Sequence, residues 1–280
     1  MPRTLVCIAI FWSATLSGAC RVHAQEPGRF LPSGEYLPLI WSDPRAPRTA
    51  TKLLVVTRGA SAFGGGVEGE AGLGREFPVW VLDKRDNGDY TVLGVGGGVW
   101  GRFNMEGARK DHISTDWTFR VPVVIKRGRN LIRFGYIHRS SHLGDEYAER
   151  FGLVLTGFSR DELNVLVMRE IAAGFRLYTE VAYALNAQPQ GSSRWVSAIG
   201  FQGHALRYGR VARPFGGVHV NLDQDSSWRP QINAQFGLIL LPNQERRVRI
   251  AAEVHVGPSP QGEFHRVDET YVTLGVYIDL

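Results

Sequence analysis

The stretch Phe175-Arg176-Leu177-Tyr178-Thr179-Glu180-Val181-Ala182-Tyr183-Ala184-Leu185 decides the fold. Read with a period of two, it puts Phe175, Leu177, Val181, Tyr183 and Leu185 on one face, and Arg176, Tyr178, Glu180, Ala182 and Ala184 on the other. That period belongs to a β-strand with unlike surroundings on its two faces. The same split separates Val248, Ile250, Ala252, Val254 and Val256 from Arg247, Arg249, Glu253 and His255. Ile232, Phe236, Leu238 and Leu240 oppose Gln231, Asn233 and Gln235, and Val272 to Leu280 alternates in the same way. Trp117, Phe119, Val121, Val123 and Ile125 repeat it against Thr118 and Arg120.

Alternation fits two architectures. A soluble sandwich buries its apolar faces against each other. A membrane barrel turns them to lipid and keeps the polar faces inside. Three observations favour the barrel. The segments reach the roughly 9–11 residues that a tilted strand needs to cross hydrocarbon. Aromatics (Trp100, Trp117, Tyr136, Tyr183, Trp195 and Trp228) gather at segment ends, as interfacial girdles do. The chain also finishes inside an alternating segment, on Leu280. No later segment has eighteen apolar residues in a row, so no spanning helix is expected. The expectation is therefore all-β: an antiparallel up-and-down transmembrane β-barrel of about 10–12 strands, twelve favoured, and monomeric. Pro242-Asn243-Gln244-Glu245 reads as a tight periplasmic turn. Asn186–Ser192, Asp223–Pro230 and Gly257–Asp268 read as outer loops.

The start of the chain is an address. Met1-Pro2-Arg3 is short and positive, and the apolar run from Leu5 to Ala19 is only 15 residues long. Val22-His23-Ala24 supplies small residues for signal peptidase, so residues 1–24 are expected to be a signal peptide, cleaved before Gln25. Residues 25–50 are rich in proline and expected to be irregular, and residues 51–280 are expected to form the outer-membrane β-barrel. Cys7 and Cys20 both lie in the leader, which excludes disulfides and thiol chemistry from the mature protein. The formal net charge of +5 falls to +3 without Arg3 and Arg21. The remaining charges are interleaved, so no nucleic-acid partner is expected. The 33 glycines suit many turns and close backbone approaches.

Several stretches together resemble a family of uncharacterised bacterial proteins, catalogued as a domain of unknown function (1207). They are Pro38-Leu39-Ile40 with Asp43-Pro44-Arg45, Ser140-Ser141-His142-Leu143-Gly144-Asp145-Glu146-Tyr147 and Ser159-Arg160-Asp161-Glu162-Leu163. Trp228-Arg229-Pro230, Ser259-Pro260-Gln261-Gly262 and Tyr271-Val272-Thr273-Leu274-Gly275 complete the set. The resemblance implies a Gram-negative outer-membrane barrel among outer-membrane lipids, placed there by the barrel-assembly machinery. It implies no activity and no site residues.

The sharpest local motif is His138-Arg139-Ser140-Ser141-His142. His138 and Ser140 share a face with Ile132, Phe134 and Tyr136, which reads as the lipid side. A His and a Ser two apart on that side resemble the dyad of the outer-membrane phospholipases A and the lipid A deacylases. In that chemistry His takes the proton of Ser, and Ser attacks an acyl ester. Those families usually carry Asn directly after the Ser, where this chain has Ser141. No orienting partner for His138 emerges, since alternation turns Asn164 to the other face. The bland alternative makes His138 and His142 interfacial residues at a strand end, with Ser140 and Ser141 opening a turn. Two outcomes of strand counting place the dyad at opposite rims. One strand between Arg150 and Met168 puts it outside, and two put it on the periplasmic side.

Asp145 and Glu146 are adjacent carboxylates, either solvated loop charges or a candidate Ca²⁺ pair. The histidines show no metal-ligand spacing, and no other cofactor is expected. Gly96-Gly97-Gly98-Val99-Trp100-Gly101 fits a dinucleotide fingerprint formally, but no helix pattern follows, and a glycine-rich strand is expected instead. Arg176, Glu180, Arg247, Arg249, Glu253 and His255 face inward, either as ion pairs filling a narrow lumen or as the lining of a solute channel.

Overall fold

The computed structural model describes residues 29–59, 66–106, 110–154, 157–206, 211–240, 242 and 247–279. The expected leader with Cys7 and Cys20, and residues 243–246 of the expected turn after Pro242, lie outside the described residues.

After a two-residue strand β1 (Arg29–Phe30) come β2 (Thr49–Arg58), β3 (Gly66–Lys84), β4 (Tyr90–Asn104), β5 (His112–Arg127), β6 (Asn130–Leu143) and β7 (Ser159–Ala172). The series continues with β8 (Phe175–Gln188), β9 (Trp195–His204), β10 (Ala212–Asp223), β11 (Pro230–Leu240), β12 (Arg247–Pro258) and β13 (Asp268–Asp279). Each strand from β2 onward pairs antiparallel with the next, and β13 returns to pair with β2, with Ile278 opposite Thr49. Twelve strands thus close into an up-and-down barrel. Closure satisfies backbone groups that lipid would leave without partners. The hairpins at the end where β2 starts are short. Arg127 pairs with Asn130 across Gly128, whose φ of 55° is open to glycine at little cost.

Alternation holds around the wall. Leu274 on the outer face is 64% exposed, whereas Arg249 and Glu253 on the inner face are 0% exposed. The outer apolar residues have no protein to pack on, which is the condition lipid satisfies. Trp100 departs from the expected girdle. Its position in β4 turns it inward, against Gly72 and Gly98, where an added Cβ would come within 2.7 Å of its ring. The Arg45 guanidinium lies 5.6 Å from the ring centroid. The triple glycine sits inside β4, as a strand rather than a dinucleotide loop.

Two segments fill the lumen. Residues 31–48 have no regular structure apart from turns; Leu31 and Ser33 to Glu35 are exposed, and residues 36–48 run inside the wall. Wall side chains satisfy their backbone: Trp41 N–H donates to Gln202 Oε1 (3.0 Å), and Gln202 Nε2 and Asn233 Nδ2 donate to the carbonyls of Leu39 (2.9 Å) and Ser42 (2.7 Å). Arg48 donates to the carbonyls of Trp41 and Asp43. Ile40 packs on Leu166, Met168 and Tyr178. Charge pairs continue the filling: Arg45 with Glu70 (3.1 Å) and Asp116 (2.7 Å), Lys52 with Glu70 (2.5 Å) and Glu253 (3.4 Å), and Arg102 with Glu68 (3.1 Å) and Glu269 (2.9 Å).

The second segment is the connection from β12 to β13, expected as an open outer loop. It dips into the mouth with a 3₁₀ turn (Gly262–Phe264), and Gln261 and Gly262 are buried. Ser114 Oγ donates to Gln261 Oε1 (2.5 Å), and Asp116 Oδ1 accepts the Gly262 N–H (3.1 Å). Beside it lies the one α-helix among the described residues, α1 (Asp145–Phe151), where solvated loop charges were one expectation. Seven residues are too short to print a helical period. Gly152, left-handed at φ 60°, stops it, and Tyr147 is buried with Ile113, Leu143 and Phe264.

Candidate functional site

The expected His138 and Ser140 stand on the outer face of β6, near its end at the mouth. A single strand, β7, follows α1, so β6 runs away from the end where β2 begins and β13 finishes. The structure also supplies the partner that the sequence reading lacked. Register places His138 opposite Asp161 of β7, and Asp161 opposite Asn186 of β8. His138 Nδ1 donates to Asp161 Oδ1 at 2.8 Å, and the Tyr136 hydroxyl donates to the same oxygen at 2.5 Å. Asn186 Nδ2 donates to Asp161 Oδ2 at 3.3 Å. Three donors thus hold one carboxylate on a face that continues through Leu163, Val165 and Val167. A lone carboxylate beside lipid is costly, and charge-assisted bonds offset part of that cost.

In the neutral tautomer that donates from Nδ1 to Asp161, Nε2 carries the lone pair, on the side of the ring away from the carboxylate. Ser140 lies two residues on along the same face, opposite Trp117 of β5 and Ser159 of β7. The described contacts include no hydrogen bond from Ser140 Oγ to His138. Ser141 does not open a turn, because β6 continues to Leu143. It points inward, where its hydroxyl donates to Asp116 Oδ1 (2.5 Å) and accepts the Glu263 N–H (3.2 Å). Asn164 is inward too, on Glu180, as its alternation requires. Sequence reasoning missed Asp161 although a signal was present: strand parity puts a single acid in line with Leu163, Val165 and Val167.

Asp145 and Glu146 occupy the first turn of α1 and are exposed. Among the described residues no group of three or more His, Cys, Asp or Glu is arranged to hold a metal ion. Of the inward charges, Arg249 pairs with Asp279 (2.7 Å), Glu180 with Arg133 (3.4 Å), and Arg247 with Glu35. His255 stacks on Tyr271 with centroids 4.6 Å apart. Arg176 forms no ion pair among the described residues. At the mouth, burial works to raise the Asp225 carboxyl. The Ser193 N–H, His265 and Arg266 outweigh it and hold the group at about 2.

A closed twelve-strand antiparallel barrel, apolar outside and filled with charge inside, defines a membrane barrel of the outer-membrane type. The chain belongs to the family described as protein of unknown function (DUF1207), whose model matches residues 16–279. No curated protein matches it in sequence. Among solved structures it is similar to the outer membrane phospholipase A from Escherichia coli, at 14% identity and a TM-score of 0.57, covering 84% of this chain and 92% of that one. It is also similar to the Salmonella typhi outer membrane phospholipase dimer with bound calcium, at 15% identity and a TM-score of 0.58, covering 89% and 95%. At these identities the likeness concerns the fold.

Proposed function

We propose that the protein is a membrane-embedded acyl ester hydrolase of the Gram-negative outer membrane. Ser140 is its nucleophile, His138 its general base, and Asp161 the residue that orients His138. The observation that carries this reading is the 2.8 Å bond from His138 Nδ1 to Asp161 on the lipid-facing side of the wall. A purely interfacial histidine needs no such partner, and an ester inside a membrane can be reached only from that face. As Ser140 Oγ bonds to the ester carbonyl carbon, its proton passes to His138 Nε2. The alkoxide that leaves takes that proton. Water then repeats the sequence and frees the fatty acid. Asp161 keeps the imidazole in the tautomer whose Nε2 is basic and stabilises the imidazolium. The name of the structural neighbours, phospholipase A, puts phospholipid esters first among substrates, with lipid A second.

The reading includes cleavage after Ala24, insertion by the barrel-assembly machinery, and a division of the mature chain into an N-terminal segment (25–50) and the barrel (51–280). With that export route the end holding Thr49 and Asp279 faces the periplasm, and the row at His138 lies at the outer leaflet. Residues 36–48 inside the lumen weigh against the solute-channel alternative. Purified protein, with and without Ca²⁺, is assayed for fatty-acid release from phospholipid and from lipid A. Release is expected, and it should fall by roughly three or more orders of magnitude in Ser140→Ala and His138→Ala. No release from either substrate, or release that survives both substitutions, overturns the proposal.

A further inference from the structure

The wall is interrupted between β2 and β3, and a cavity lies at the interruption. β3 runs for 19 residues and β2 for 10. β2 pairs with β3 only from Gly72 toward the mouth, and β1 covers only Trp80 and Val81. Between them the β3 edge from Gly74 to Pro78 has no strand beside it among the described residues. Pro78, which lacks an N–H to offer a neighbour, suits such an edge. A cavity of about 870 Å³ lies here. Its lining mixes the two faces of the wall: Arg75, Phe77 and Ile278 belong to the outer face, and Arg120, Arg133 and Gln202 to the inner one. The unpaired β3 edge is where this space can pass from the inner face to the outer one.

The charge of this space is not balanced. Its lining holds eight Arg and Lys side chains against five Asp and Glu. Several are spoken for: Arg120 faces Asp43 and Glu76, Arg133 faces Glu180, and Arg247 faces Glu35. Arg75, Arg129 and Arg176 make no ion pair among the described residues. Arg75 stands at the opening with its guanidinium over the Phe77 ring, 4.8 Å from the centroid. Arg129 and Arg176 line the same cavity. A bare guanidinium on a lipid-facing strand is costly, and an anion beside it offsets that cost.

We infer that this cavity binds an anionic amphiphile, with its phosphate headgroup inside among Arg129, Arg176 and Arg75. Its acyl chains leave through the side opening past Phe77 and Ile278 into the bilayer. The volume suits one headgroup, since small-molecule pockets span roughly 300–1,000 Å³. Guanidinium forks match phosphate oxygens in pairs. The site is separate from the row at His138 and does not depend on hydrolysis.

The test uses the full chain in non-ionic detergent and ether-linked phosphatidylglycerol, which offers no ester to a hydrolase. Binding is followed by native mass spectrometry. Phosphatidylglycerol is expected to bind at least tenfold more tightly than ether-linked phosphatidylcholine with the same chains. The double variant Arg129→Gln with Arg176→Gln should remove that preference, and Arg75→Gln should weaken binding about threefold or more. Arg85→Gln, at an exposed turn away from the cavity, should leave it within twofold. A gel shift between unboiled and boiled protein checks that each variant is folded. Equal binding of the two lipids, or a preference that survives in the folded double variant, overturns the inference. Inorganic phosphate competing at the same concentration as the lipid also overturns it, because the site would then read a free anion.

Discussion

Ser140 and Ser141 are adjacent in the chain and belong to opposite environments. Ser141 is buried in the mouth of the lumen, bonded to Asp116 and to the backbone of Glu263, in a network that also takes in Arg45. Ser140 faces out beside a row in which His138, Tyr136 and Asn186 all converge on Asp161. The inner acid, Asp116, is surrounded on every side by structure that it fastens together. The outer acid, Asp161, fastens only side chains that could meet a lipid. An inner carboxylate of this kind sets stability, and an outer one is free to set reactivity.

Substituting the two acids separates these roles most sharply. Asp161→Asn should lower ester hydrolysis by roughly 10²–10⁴-fold, because an amide can present the wrong hydrogen-bond partner to Nδ1. Its urea unfolding midpoint in lipid vesicles should barely move. Asp116→Ala should do the reverse, costing about 1–3 kcal/mol, because the Ser141 hydroxyl and the Gly262 N–H lose their acceptor and Arg45 keeps only Glu70. A large stability loss in Asp161→Asn would erase the distinction. The next effect tests the outer face itself. Val254→Arg places a charge among apolar outer neighbours and should cost about 2–4 kcal/mol in vesicles. An unchanged unfolding curve would mean that this face does not meet lipid.

The outer face was legible in the sequence because lipid imposes one rule on every strand, and alternation records it. The inward charges followed from that rule and strand number came within a range of 10–12, whereas the direction of β6 hung on whether one strand or two followed Arg150, which alternation does not decide. What fills the lumen was not legible. Residues 31–48 and 259–265 are irregular, and each is held by scattered partners such as Gln202, Asn233 and Ser114 that no spacing announces. Trp100 was misassigned because an aromatic at a strand end looks the same from either face. Asp161 was overlooked although its parity among leucine and valine marked it. Its distance of 23 positions from His138 is a matter of register, which sequence alone does not fix.

The smallest expected effect concerns the rim. Asp225 is held at about 2 in the fold, against an ordinary value of 3.8. A carboxyl lowered by folding contributes stability above its unfolded value and loses it as pH falls through the folded one. Stability should therefore decline between about pH 4 and pH 2, by roughly 1 kcal/mol. Asp225→Asn should flatten that part of the unfolding profile. A wild-type profile that is flat across the window would show that the rim contacts do not hold in solution.

The seam between β2 and β13 has a consequence for how the molecule comes into being. Thr57 bonds to Thr270 across 213 positions of sequence, so the seam can form only after the intervening strands have been made. Joining points so distant is entropically slow. The segment 36–48, meanwhile, lies just before β2 and ends up enclosed by the finished wall. It must be in place before the seam zips, or be drawn in as it does. Lumen filling and barrel closure are then one kinetic event, and a protein caught with an unzipped seam should still leave Arg48 and Trp41 open to protease or label.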